Sequence, residues 1–367
     1  MTEKSNILSA LPSVDWRTVC QNAGLPLVVY GMGNGADKLE ARLSEVGLSV
    51  SDYIASDDFV RGQSFRGHRV LTYREAVLKH GDFILLVAFG TRLPEVLSHI
   101  ESLGRERTLL IPDMPIAGDD YFDVSYANAH GEELLEAYET LFDDLSRETF
   151  LSLASAKISG DYHELMAKVQ TKDDIFEEMP LANVKTVADF GAYNGDTVRE
   201  IFGRAGNLSL AIAVEPDKRT FKKLSAYADL ETRFSVVPIH AAVGGTGRAV
   251  MHASGNRNSS LYNASFEKSD DEVPLLSVDE ILRDYDVDYL KMDVEGAELD
   301  ALRSATQTLR RCRPILKIAA YHRSEDIFSL LLFLKALTEN YRFLLRRTPC
   351  IPAWEADIIA IPNEVTT

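Results

Sequence analysis

Cysteine is scarce in this 367-residue chain, which has only Cys20, Cys312 and Cys350. Odd in number and far apart, they exclude a disulfide framework and a cysteine-rich zinc site. Buried or incidental thiols in a reducing cytoplasm fit them better. Basic charge is short as well: 39 Lys and Arg stand against 56 Asp and Glu, a net charge of −17. A nucleic-acid binder needs a basic footprint, and so does a protein docked on an anionic membrane, so neither class is expected. Long apolar runs are missing. "MTEKSNILSALPSVDW" lacks the apolar core of a signal peptide, and "FSLLLFLKAL" (328–337) is too short to span a bilayer. No Gly/Ser linker or low-complexity run interrupts the chain. A cytoplasmic protein with no membrane span is the expectation.

What is present reads as an ordinary soluble α/β protein. Apolar residues make up 46% and charged ones 26%, and the length favours two cores over one. Residues 1–117 alternate strand and helix signals. "LPLVVYGMGNGADKLEARL" is strand, glycine turn and helix; "LSVSDYIASDD" is a second strand ending in acids. "HRVLTYREAVLKHG" is a short strand with a helix, and "DFILLVAFG" and "RTLLIPDM" are two further strands. Such alternation implies a mostly parallel sheet with right-handed crossovers. Residues 118–182 carry helical periodicity and read as a helical connector.

From 183 to 367 the alternation resumes. "KTVADFG", "LSLAIAVEP", "FSVVPIHAAVGG", "VDYLKMDVEG" and "PILKIAAYH" are five strands. "YRFLLRR" and "ADIIAIP" follow too closely for a helical crossover and should pair as an antiparallel hairpin. The sum is a seven-stranded Rossmann-like sheet with the outline of a class I methyltransferase, beside a smaller N-terminal Rossmann-like α/β domain.

The chemistry of the second half starts at "DFGAYNGDT". Strand, glycine turn and helix N-terminus is how α/β sheets hold nucleotide-like ligands. Asp189 ends the strand, Gly191 and Gly195 let something approach the backbone, and Tyr193, Asn194, Asp196 and Thr197 complete the turn and helix start. No Arg or Lys stands in the turn to meet a pyrophosphate, so S-adenosylmethionine, with its sulfonium and amino-acid tail, fits better. Asp189 would take the amino group, and Glu215, with Pro216 at the end of strand two, would accept the ribose hydroxyl hydrogens. Either acid alone reads equally as a helix cap or a solvated strand end; the ordered pair carries the assignment. His240 ends strand three, where adenine contacts fall, and Ala241 and Ala242 would leave a flat slot. A satisfied strand-end histidine is an equal reading of His240.

"YLKMDVEGAELDAL" puts Asp293 and Glu295 at the carboxyl end of strand four, and His322 ends strand five. An acceptor hydroxyl is a weak nucleophile until a base takes its proton, and these three are the candidates. Asp293 is counted with the cofactor residues too. Glu298 reads as a helix first-turn acid with a structural role. His322 reads equally as an exposed strand-end residue bonded to Asp326 or Glu325. Asp293, Glu295 and His322 are also ligand types that suit magnesium or manganese, but no diagnostic spacing supports a metal and none is assigned.

With these residues in place, the chain resembles the FkbM family of methyltransferases. The resemblance rests on "VADFGAYNGDT", "AVEPD", "AAVGG" with the later "NSSLYNAS", then "SVDEIL", "DYLKMDVEGAELDAL" and "AAYHRSEDIF", across about residues 183–361. It implies S-adenosylmethionine-dependent O-methylation, commonly of sugar hydroxyls in polysaccharides, glycolipids or glycosylated natural products. It implies that Asp189, Gly191, Gly195 and Glu215 bind the cofactor and that Asp293, Glu295 and His322 line the reaction site. "LSRETFLSLASAKISGDYHEL" is similar to the connector of longer members that carry an N-terminal α/β domain. One departure is that Phe190 and Tyr193 stand where members often have valine and asparagine.

The N-terminal turn "YGMGNGAD" raises the rivals. Gly31, Gly33 and Ala36 satisfy the dinucleotide fingerprint, and Asp57 follows about twenty residues on. An NAD(P)-dependent oxidoreductase or epimerase is one alternative. "YIASDDFVRGQSFRGHRVLTYREA" resembles N-terminal domains of sugar acyltransferases, so Gly31, Gly33 and Asp57 could instead hold a nucleotide-sugar, in an enzyme or in a non-catalytic scaffold. A ligand-free docking module is a further reading, and a homo-oligomer is left open.

Overall fold

The computed structural model describes residues 7–250 and 272–365. "NSSLYNAS" (258–265) and the first six residues lie outside the described residues. A seven-stranded sheet forms the C-terminal half. Its spatial order is Tyr341–Arg347, Ala356–Pro362, Ile315–Ala319, Tyr289–Met292, Thr186–Phe190, Leu210–Val214 and Ser235–Ile239. The last five are parallel, and Ala356–Pro362 runs antiparallel to both its neighbours. The closing hairpin is therefore present, and the fold is mixed α/β around a mostly parallel sheet. The inner strands read as near-continuous apolar runs because helices cover both faces.

Chain order makes the site. From Thr186–Phe190 the chain winds outward to Leu210–Val214 and Ser235–Ile239, then returns to place Tyr289–Met292 on the first strand's other side. That reversal opens a crevice at the carboxyl ends of these two strands, where ligands of open α/β sheets bind. Strand three ends at Ile239, short of the run read from sequence. His240 and Ala241 break it, and Ala242–Val243 joins a small separate sheet with Glu272–Leu276 and Gly247–Val250.

The N-terminal sheet has four parallel strands in the order Asp52–Ile54, Leu27–Tyr30, Ile84–Val87 and Leu109–Leu110. His68–Arg69, read as a short strand, pairs with Ser64–Phe65 in a small hairpin beside it. Between the two sheets runs the helix Asp144–Ser159, capped by the Asp143 carboxylate on the Ser146 amide and ended by Gly160 in a left-handed conformation. Ten of its 16 residues are buried, which is the pattern of a helix enclosed on most sides. One continuous apolar cluster joins Val28 and Leu85 of the small sheet, Phe150 of this helix, and Ala188 and Leu290 of the large sheet.

Candidate active site

The first and fourth strands of the large sheet pair Asp189 directly with Lys291. Asp189 is fully buried, and neither carboxylate oxygen has a hydrogen-bond partner. Lys291 Nζ lies 3.5 Å from Asp189 Oδ1 and 3.5 Å from Asp293 Oδ2, and donates to the Gly191 carbonyl at 3.1 Å. Burial pushes the Asp189 carboxyl up to about 6, against the opposing pull of Lys291. Burial alone would lower the Lys291 ammonium, but Asp189 and Asp293 outweigh it and hold it above its ordinary value. Gly191 is required for a reason the sequence did not show. A Cβ there would lie 1.9 Å from the Asp293 carbonyl oxygen, so what approaches this backbone is the loop after strand four.

Glu215, 7% exposed, anchors the neighbouring loops. Its Oε2 accepts the Tyr193 amide (2.9 Å) and its Oε1 the Asp217 amide (2.8 Å). Burial raises its pKa to about 7 even though both amides favour the carboxylate. Asn194 turns towards the helix that follows, where its side chain and carbonyl accept from Arg199. Asp196 is exposed and accepts the Thr197 amide. His240 donates from Nε2 to the Pro216 carbonyl (2.9 Å) and stacks on Phe221 at 4.8 Å, while Ala241 and Ala242 are buried in the core.

The third group surrounds His322, which is 1% exposed. Nδ1 lies 2.9 Å from Glu298 Oε1; Nε2 lies 3.4 Å from Asp293 Oδ1 and 3.6 Å from Glu295 Oε2. Burial would lower the imidazole, but Glu298, Asp293 and Glu295 raise it to about 10. The exposed strand-end alternative is therefore not what the fold shows. Burial raises Glu295 to about 7, with His322 pulling the other way. Glu295 holds a left-handed φ of 54°, costly for a glutamate and typical of functional loops. Glu298 keeps that turn in shape by accepting the Val294 and Gly296 amides. Asp293, Glu298 and His322 bring donor atoms within 4.8 Å of one another, a set able to hold a metal ion.

A segment of the N-terminal half lies directly on this group. Ile116 and Ala117 both donate to the His322 carbonyl (2.9 Å each), and Ser324 Oγ donates to the Asp120 carbonyl. A Cβ on Gly296 would sit 2.4 Å from Ala117 Cβ. On its other side the segment is held by Lys38 on the Pro115 carbonyl, Arg42 on the Asp119 carbonyl, and a buried Asp113–Lys157 ion pair at 2.5 Å. Lys38 and Arg42 belong to the helix Asn34–Glu45 that opens at Gly33. In that turn Ala36 is buried, and Asp57 is exposed in a 3-10 turn beyond the second strand.

The family model falls on the C-terminal half. Residues 189–345 match the family model described as Methyltransferase FkbM domain. Those residues carry the FkbM methyltransferase domain. A crystal structure of Methyltransferase FkbM from Methylobacillus flagellatus KT superposes with a TM-score of 0.70 at 19% identity, covering 97% of this chain and 95% of that one. A putative rRNA methylase from Clostridium thermocellum (14% identity, TM-score 0.34) covers 53% of this chain and 96% of its own. A SAM-dependent methyltransferase from Aquifex aeolicus (15% identity, TM-score 0.31) covers 60% and 98%. No curated protein matches the sequence. Among the described residues no helix is long and apolar enough to cross a membrane.

Around this FkbM methyltransferase domain the sequence reading missed Lys291, Tyr321, and the segment over His322. Lys291 had a signal: a lysine inside the buried parallel strand "YLKM" breaks an otherwise apolar run. Tyr321, whose hydroxyl donates to Asp293 Oδ1 at 3.4 Å, had none. Residues 116 and 117 reach His322 across some two hundred positions, beyond any local pattern.

Proposed function

We propose that this FkbM-family methyltransferase moves the methyl group of S-adenosylmethionine to a hydroxyl of a sugar, a glycan or a glycosylated natural product. The observation that supports it is a charge deficit. Asp189, Asp293, Glu295 and Glu298 converge on the crevice with Lys291 and His322 as their nearest cations. A ligand that brings an ammonium and a sulfonium supplies the missing charge, and the orphaned carboxylate of Asp189 is a ready partner for the ammonium.

When bound, S-adenosylmethionine supplies a methyl group made electrophilic by its sulfonium. Asp189 binds the amino group, Glu215 accepts the ribose hydroxyl hydrogens, and Pro216, His240, Ala241 and Ala242 border the adenine end. Glu295 takes the proton of the acceptor hydroxyl. A base with a pKa about 7 is matched to neutral pH, whereas His322 at about 10 already carries its proton. His322 instead stays imidazolium and fixes Asp293 and Glu295. Of the three candidates Asp293, Glu295 and His322, Glu295 is thus the base and His322 the positioning cation.

Ligand-induced thermal shift tests the cofactor, with S-adenosylhomocysteine, NAD and a UDP-sugar side by side on wild type and Glu215→Ala. At about 100 times its dissociation constant a ligand stabilises the fold by about 2.7 kcal/mol. A shift with S-adenosylhomocysteine that vanishes in Glu215→Ala supports the proposal; a shift with NAD alone sinks it.

The same acids set a pH dependence. Asp189, Glu215 and Glu295 hold their protons more tightly in the fold than in the unfolded chain. Stability of the ligand-free protein therefore falls as pH rises from the ordinary carboxylate range through about 7. His322 adds to the trend: its raised pKa stabilises the fold below about 6.5, and that contribution is lost as pH climbs through about 10. The cationic ligand reverses the first effect. Its melting shift should grow from about pH 5 to about pH 8 while the ligand-free melting temperature drops. A shift that is flat across this range would remove Asp189 and Glu215 from the binding site.

A further inference from the structure

Of the residues Gly191–Gly195, Tyr193 alone has a side chain without a structural task. Gly191 makes way for the Asp293 carbonyl, Ala192 is buried in the core, Asn194 is held by Arg199, and a Cβ on Gly195 would strike the Tyr227 ring. Tyr193 is 43% exposed, and neither its ring nor its hydroxyl has a partner among the described residues. Its backbone is nonetheless left-handed, with φ at +46°. Asparagine enters that region several-fold more readily than a bulky aromatic. Folding alone would favour asparagine here, so the tyrosine answers to something else.

Its place in the turn says what. The preceding strand ends in Asp189, and the Tyr193 amide is bonded to Glu215 Oε2 at 2.9 Å. These are the two carboxylates assigned above to the amino group and the ribose. In S-adenosylmethionine the sulfonium lies covalently between those two parts, so a residue anchored between the two acids borders the sulfur. An aromatic face attracts a cation, more strongly where water is excluded.

We propose that Tyr193 is the residue by which the site tells charged cofactor from spent product, its ring contacting the sulfonium end of bound S-adenosylmethionine; this rests on the cofactor reading above. S-adenosylhomocysteine carries a neutral thioether at the same position and gains nothing from the ring's negative face. The contact therefore favours loading over product retention.

Isothermal titration of S-adenosylmethionine and S-adenosylhomocysteine into wild type, Tyr193→Phe and Tyr193→Asn, with ligand-free melts of each, tests it. Tyr193→Asn should melt no lower than wild type, since asparagine relieves the backbone. It should lose about three- to tenfold in affinity for S-adenosylmethionine and much less for S-adenosylhomocysteine. Tyr193→Phe keeps the ring and should bind both as wild type does. An unchanged ratio of the two affinities in Tyr193→Asn overturns the proposal, whether both are kept or both fall equally. If wild type binds neither ligand, the cofactor reading has failed, and that shows before any variant is made.

Discussion

Glu295→Gln lowers methyl-transfer turnover by about 100- to 10,000-fold, the usual contribution of a positioned base. Glutamine keeps the shape of the side chain and cannot take a proton, so S-adenosylhomocysteine affinity should stay at the wild-type value. The wild-type rate should rise with pH to a plateau above about 7, where the Glu295 carboxylate loses its proton, and the variant's residual rate should lack that limb. Rapid-quench assays on an acceptor drawn from a panel of glycosides read both effects. His322→Gln gives a different signature. Without the imidazolium beside it, Glu295 loses the cation that opposes its burial, and the limb moves to higher pH. Wild-type turnover in Glu295→Gln would move proton acceptance to Asp293, the other carboxylate facing His322 Nε2.

The second large effect lies outside the reaction chemistry. Lys157 and Asp113 are 1% and 4% exposed, with Nζ 2.5 Å from Oδ2. Their attraction offsets the cost of taking two charges out of water, and removing one partner strands the other. Lys157→Met should therefore destabilise the protein by about 3–5 kcal/mol, read as a lowered urea midpoint. Adding Asp113→Leu should recover most of the loss, because the uncompensated carboxylate and not the missing contact is the main penalty. A double variant as unstable as the single one would show that the lysine acts through packing of its alkyl chain. The pair also holds the segment that carries Ile116 and Ala117 onto the His322 carbonyl.

Much of this architecture is local and was legible. "TVADF", "LAIAV" and "ILKIA" are apolar over strand length, and all three are strands of the sheet. The short spacing of "YRFLLRR" and "ADIIAIP" excluded a crossover, and they pair antiparallel. Acids at strand ends could likewise be located, because strand ends follow from where the apolar run stops. Glu298 shows the limit. As the first residue of the helix Glu298–Arg303 it reads as a dipole partner, yet it is buried, bonds two amides of the preceding turn and faces His322 Nδ1.

The amino-acid sequence by itself determined the strands, the order of acids along them and the glycine turns, since period, spacing and turn chemistry act over a few residues. The tertiary structure alone decided what each of those groups meets. Gly191 faces a carbonyl one hundred residues away, Lys291 is shared between Asp189 and Asp293, and His322 sits among three carboxylates under a segment from the other half of the chain. Charge state follows from those meetings. A buried histidine beside one carbonyl would be a neutral base, while the same histidine ringed by carboxylates is a cation, because burial penalises a charge only until opposite charges are packed beside it.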